Sequence, residues 1–377
     1  MRIFVFIPVL ILLAGCYSTR RSRSDQDVET VLQLRPGPEN PRNSEGDFIQ
    51  LKDGRWLFVY TRFTGGGGDH SRAHLAGCYS KDQGRSWFSQ QHMVLPNEGE
   101  MNIMSVSLLR LDNGNIALFY LRKNSTSDCI PYMRISTDEA GSWGEAIRCI
   151  QDEAYYVLNN DRAVQLKSGR ILLPVANHSW GQYREFRSRA RIECFYSDDR
   201  GRSWYRSAEA ENPEEVISQE PGVVELKDGS ILLFCRTDAG VQYTSRSEDG
   251  GQTWSSLQPS RISSPLSPAS VERIPSTGDL LAVWNNNLSK KEGLRQNRTP
   301  LTMAISKDEG RSWERVKNIQ EDPEGWYCYT AIAFTERGLL LAYCSDDLRE
   351  SKRLSTTRIT RISNKWIYNK VKKKPEE

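Results

Sequence analysis

Helical periodicity is almost absent from this sequence of 377 residues, and no apolar run is long enough to cross a bilayer as a helix. Helical bundles and helical membrane proteins are thereby excluded. Histidine is scarce: His70, His74, His92 and His178 have no ligand spacing, and no two cysteines stand at the close interval of a metal site. Charge of one sign is lacking too, because 51 basic residues face 48 acidic ones for a formal net charge of +3. That balance leaves no electrostatic footprint for nucleic acid. The basic end, Lys370–Lys374, reads as a solvated tail within residues 366–377.

The one strongly apolar run opens the chain. Ile3–Leu13 is too short to span a membrane and ends in Leu13-Ala14-Gly15-Cys16. This order resembles a bacterial lipoprotein lipobox, in which the cysteine is acylated. The resemblance implies residues 1–15 as a signal peptide and an exported chain hung by Cys16 from a bacterial outer membrane or cell surface. Residues 16–35 are polar and basic, with little to bury, and read as a tether. The other seven cysteines lie scattered in apolar text and read as small buried residues. One or two disulfides are compatible with an exported chain, but their pairing is not legible.

Residues 36–365 are organised by two interleaved repeats. Ser80–Trp87 (SKDQGRSW) recurs at Ser197–Trp204, Ser247–Trp254 and Ser306–Trp313, and Ser136–Trp143 repeats it with the glycine displaced by one place. In the pattern S-x-D-x-G-x-S/T-W, Asp accepts from turn N–H groups, Gly takes the positive φ, and Trp folds back as a plug. These aspartates are staples of a hairpin rather than a catalytic pair. The second repeat is a glycine turn followed by an apolar strand, at Gly54, Gly114, Gly169, Gly229, Gly278 and Gly338. Intervals of 49 to 60 residues fit one four-stranded blade per repeat, so the prediction is an all-β, six-bladed β-propeller. The sixth blade has no box, as expected where the ring closes by sharing strands between the two termini.

Innermost strands of a propeller converge on one mouth. Counting nine residues back from each turn glycine gives Glu45, Ser105, Asn160, Glu220, Ala269 and Tyr329 as the predicted rim.

The boxes and the rim together resemble the sialidase family. Gln219-Glu220-Pro221-Gly222 with the later Arg236 is similar to the family's Glu-strand-turn-Arg segment, and Tyr329-Thr330-Ala331 to its nucleophile segment. Arg298, ahead of the last box, and Asp69, in the loop Arg62–His70, occupy the places of a clamp arginine and the acid. The resemblance implies an exo-glycosidase that releases a terminal sialic acid or a related acidic sugar from glycans, with no cofactor. It also explains the residue types. The substrate carboxylate lies on the anomeric carbon and repels an anionic nucleophile, so a neutral Tyr329 attacks and Glu220 takes its proton. Asp69 serves as acid/base, while Arg236 and Arg298 grip the carboxylate through forked hydrogen bonds.

One motif departs from the family. Where Arg-Ile-Pro is expected, the chain reads Arg42-Asn43-Ser44-Glu45, with an acid at the rim. Either Arg42 still reaches the substrate or the substrate is not a standard sialic acid. Arg62, His70, Asn160 and Arg162 are further candidates for substrate contact. Another polysaccharide hydrolase, a uronate lyase and a non-catalytic glycan-binding propeller remain open alternatives.

Overall fold

A computed structural model describes residues 27–88, 91–180, 185–287, 297–350 and 352–369. Cys16, the signal, the first part of the tether and the end of the basic tail lie outside them. The described chain is a six-bladed β-propeller, each blade an antiparallel sheet. Blade one comprises Arg42–Gln50, Trp56–Phe63, Ala73–Ser80 and His92–Leu95. Blade six comprises Gly325–Thr335, Gly338–Asp347, Thr357–Ser363 and, as its outermost strand, Val28–Leu34.

That last strand corrects the predicted tether. Val28–Leu34 pairs with Thr357–Ser363, and Leu34 is buried, so these residues belong to the propeller. Closing the ring with a strand from the other terminus satisfies the ladder hydrogen bonds of an otherwise open edge. The basic tail is corrected as well: Asn364–Tyr368 form a short helix, α1, with Ile367 buried.

Six apolar clusters lie between neighbouring blades and make up the core. Five of them take one box tryptophan each: Trp87, Trp143, Trp204, Trp254 and Trp313. Trp87 packs on Phe48 and Phe58, and Trp204 meets Phe119 of the preceding blade edge-on. The sixth cluster, between blades five and six, has no box. Trp366 packs there instead, beside the buried Ile367.

The box geometry follows its residue types. Asp82 Oδ1 accepts from Ser86 N at 2.9 Å and Oδ2 from Ser86 Oγ at 2.6 Å, while Ser80 Oγ accepts from Gly84 N at 2.9 Å. In Ser136–Trp143 the same bonds form although Ala140 stands in the glycine place, at φ 64°.

Register fixes which loops share a face. Arg42 pairs with Phe63 and Phe63 with Ala73, so the Asp69 loop lies at the same end of the blade as Arg42. Gln50 pairs with Trp56 and Trp56 with Ser80, which sends the glycine turn and the box to the opposite face. Staples and mouth are therefore on different sides of the ring.

Candidate active site

Four innermost strands break register at the predicted rim, between Ser44 and Asp47, Met104 and Ser107, Gln219 and Gly222, and Cys328 and Ala331. Within these bulges Glu45, Ser105, Glu220 and Tyr329 take φ values of 55°, 59°, 49° and 57°. Non-glycine residues resist this region, and such strain concentrates where a fold must aim a side chain. Blade three differs. Its inner strand is split into Tyr156–Val157 and Val164–Gln165, and the positive φ falls on Asp161, not on Asn160 as the count predicts. In blade five Ala269 has no such backbone.

Two polar groups occupy the mouth. In the first, the Tyr329 hydroxyl donates to Glu220 Oε1 at 3.3 Å, and Arg236 Nη1 lies 2.8 Å from Glu220 Oε2. Gln219 Oε1 accepts from Arg236 Nε at 2.9 Å and so fixes the guanidinium plane. The Arg298 guanidinium lies 5.3 Å from the Tyr329 ring centre and 5.1 Å from that of Trp326. Burial, with the nearby Glu220 charge, raises the Tyr329 phenol well above its usual range, so it is neutral at rest. Arg298 Nη1 and Asn160 Oδ1 are buried without hydrogen-bond partners. Groups left unsatisfied at a mouth are the ones a polar ligand would complete.

The second group is centred on Arg42. Its Nη2 donates to Glu45 Oε1 at 2.7 Å, its Nη1 to Asp69 Oδ1 at 2.5 Å and to Gly67 O at 3.3 Å, and its Nε to Ser44 Oγ at 2.9 Å. Glu45 Oε2 accepts from Ser105 Oγ at 2.5 Å. Glu45 is thus no free repelling charge, because Arg42 neutralises it. Arg42 is almost filled by the chain's own acceptors and is 1% exposed. Burial pushes the Glu45 carboxyl up despite Arg42, whereas Arg42 outweighs burial at Asp69 and holds that carboxyl low.

Asp69 is better anchored than its glycine-rich loop suggests. Its carbonyl accepts from Asn102 Nδ2 at 2.9 Å and from Lys123 Nζ at 3.0 Å, while its side chain stays 57% exposed. His70 is exposed beside it. Sequence spacing gave no reason to single out Asn102, Lys123 or Gln219, since each acts across a blade or one residue from a rim position.

The remaining candidates are placed elsewhere. Asn160 reaches across the channel, donating to Gly46 O at 2.9 Å and Tyr329 O at 3.2 Å, and so ties two bulges together. Arg162 is tied to blade five. Its guanidinium donates to Ala269 O at 2.7 Å and Ser270 Oγ at 3.3 Å, and the residue lines a separate axial cavity of about 390 Å³ with Asp47, Asp161 and Glu272. In that cavity burial raises all three carboxyls, Asp161 to about 6. Arg62 pairs with His74 in register and is joined to neither mouth group. Among the described residues no cluster of His, Cys, Asp or Glu is arranged to hold a metal ion.

The repeats and the six-bladed sheet order agree with what comparison with known proteins gives. The model of the BNR repeat-like domain matches residues 89–341, more than half of the chain. The chain belongs to that family. Within it, the chain is similar to the anhydrosialidase of Macrobdella decora, with 31% identity over 157 residues. That match covers 38% of this chain and only 19% of the relative. The leech intramolecular trans-sialidase complexed with 2,7-anhydro-Neu5Ac superimposes with a TM-score of 0.69 at 15% identity, over 90% of this chain and 70% of the other. The intramolecular trans-sialidase of Ruminococcus gnavus, in complex with oseltamivir carboxylate, gives 0.68 at 14%, over 88% and 96%. A Dyadobacter fermentans protein of unknown function gives 0.68 at 18%, over 89% and 99%. At these identities the structural likeness speaks for the sialidase-like propeller fold.

Proposed function

We propose that this BNR-family propeller is a retaining exo-glycosidase that releases a terminal sialic acid or a related acidic sugar from glycans. The observation that carries the reading is the Tyr329 hydroxyl donating to Glu220, with Arg236 on the same carboxylate and Arg298 over the phenol. A phenol without charge can approach an anomeric carbon that bears a carboxylate, and Glu220 receives its proton as the bond forms. The positive charges of Arg236 and Arg298 stabilise the substrate carboxylate and the phenolate character developing on Tyr329.

Asp69 is the proposed acid/base. It must carry a proton to assist the leaving group, and its ion pair with Arg42 opposes that. A substrate carboxylate arriving at Arg42 would compete for the guanidinium and release Asp69 to protonate. Glu45, buried and kept high, holds Arg42 in place during the exchange.

Incubation with fluorogenic glycosides of several acidic sugars tests the reading. Release by the native chain and its loss in Glu220→Ala are expected. No release from any of them would sink the proposal and favour a glycan-binding role.

A further inference from the structure

Cys328 and Cys344 are directly opposed in the ladder between the two inner strands of blade six. Residues opposed in an antiparallel pair point to the same side of the sheet, with Cβ atoms about 4.5–5.5 Å apart. Their Cα atoms, about 4.5 or 5.5 Å apart according to the type of pair, fall inside the span a disulfide bridges. Each cysteine is 1% exposed. The two thiols lie within hydrogen-bonding reach of one another, and Cys328 faces the positive charge of Arg298. None of the other five described cysteines has a second cysteine among the groups that influence it.

Position makes this pair unusual. Cys328 immediately precedes Tyr329, at the edge of the bulge that gives the phenol its direction. We infer that Cys328 and Cys344 are a site of disulfide formation that controls how freely Arg298 can serve an anionic ligand. Burial alone would raise the Cys328 thiol, but the Cys344 contact and the Arg298 charge bring it below its usual range, favouring the thiolate that initiates oxidation.

With hydrogen peroxide as oxidant the chemistry closes. The Cys328 thiolate attacks one peroxide oxygen, forming an S–O bond; the O–O bond breaks and the departing hydroxide leaves as water after taking a proton. Cys344 Sγ then attacks the sulfenic sulfur, the S–S bond forms, and the S–OH oxygen leaves as a second water with the Cys344 proton. Two thiols are oxidised and one peroxide is reduced to two waters. The product has no negative sulfur, so Arg298 loses an internal competitor. This second consequence rests on the function proposed above.

The test uses the full folded chain, one portion reduced and one treated with hydrogen peroxide. Each is then denatured, alkylated, digested and analysed by mass spectrometry. The expected result is a linked Cys328–Cys344 peptide in the oxidised portion alone, with the other five described cysteines alkylated. Free, alkylated Cys328 and Cys344 after peroxide would overturn the proposal. Cys344→Ser should leave Cys328 without a bridge; if that variant does not fold, the native peptide map still decides. For the consequence at the site, KM for an acidic-sugar glycoside should be at least threefold lower in the oxidised form. Equal KM values would contradict control through Arg298. A linked chain that turns over no acidic sugar would instead overturn the proposed function and leave the disulfide standing.

Discussion

Tyr329 and Glu220, 109 residues apart in sequence, meet at 3.3 Å because each occupies the bulge on the innermost strand of its own blade. The fold brings them together by repetition: the same offset from the same turn, in blades four and six. On the proposed function, this hydrogen-bonded phenol and carboxylate flanked by two arginines act as nucleophile and base, which sets the first expectation. Tyr329→Phe should retain the native melting profile and lose turnover by on the order of 10³-fold or more, checked by steady-state kinetics beside circular dichroism.

Arg42 leads to a second expectation. It holds Glu45 and Asp69 at once, so Arg42→Lys, which cannot fork, should lower kcat/KM by on the order of 10²-fold. The alkaline limb of the kcat/KM profile, where Asp69 gives up the proton it needs for the leaving group, should shift upward as Asp69 loses the partner that keeps its carboxyl low. An unchanged limb would separate Asp69 from the proton transfer.

A third concerns acid stability. Hydrogen bonds from Ser142 and Ser312 hold the box carboxyls of Asp138 and Asp308 at about 2, and Asp199 and Asp249 reach about 2 despite the opposing effect of burial. Depressed carboxylates stabilise the fold above the unfolded value near 3.9 and lose that contribution as pH falls from about 4 towards 2. The axial carboxyls act with the opposite sign. Asp161, raised to about 6, favours the folded state more at pH 4 than at pH 6. The melting temperature should therefore fall steeply only below about pH 4, and Asp199→Asn should flatten that fall.

A fourth uses the irregular box. Ala140 sits at φ 64°, where a side chain costs roughly 1–2 kcal/mol. Ala140→Gly should raise the melting temperature, with the gain reduced by about 0.4–1 kcal/mol through the greater freedom of glycine in the unfolded chain. A lower melting temperature would show that the turn is not strained.

The fifth addresses ring closure. Ile367, buried where blade six has no box tryptophan, should destabilise the chain by about 2–5 kcal/mol when replaced by alanine. Thermal unfolding of Ile367→Ala checks this. No change would mean that α1 is an ornament on the propeller.

Much of this was legible in the sequence, for a physical reason. Each box and each glycine turn is a local device whose bonds lie within eight residues, so Ser80–Trp87 announces its own geometry. The rim was legible where a blade keeps its period: Glu45, Ser105, Glu220 and Tyr329 all lie nine residues before a turn glycine and all are bulged. It failed in blade three, where the inner strand breaks and Asp161 takes the strained backbone. The blade-five partners of Arg162 could not be read, because adjacency in sequence does not show which way a side chain leaves an irregular strand. Val28–Leu34 could not be separated from a tether, since its partner Thr357–Ser363 lies at the other end of the chain. Nor could the Arg42–Glu45–Asp69 network be read, because spacing names residues without saying which acceptors a guanidinium will choose. The lipobox reading of Cys16 is tested separately: Cys16→Ser should move the chain from the membrane fraction to the soluble one.

Trapping of the glycosyl-enzyme decides whether Tyr329 is the nucleophile of a retaining glycosidase. A fluorinated acidic-sugar inactivator that slows hydrolysis of the glycosyl-enzyme would be incubated with the native chain, and the digest analysed by mass spectrometry. One glycosyl adduct is expected, on the peptide that carries Tyr329 and absent from Tyr329→Phe. An adduct on any other residue, or turnover that releases the sugar with inverted configuration, would contradict it.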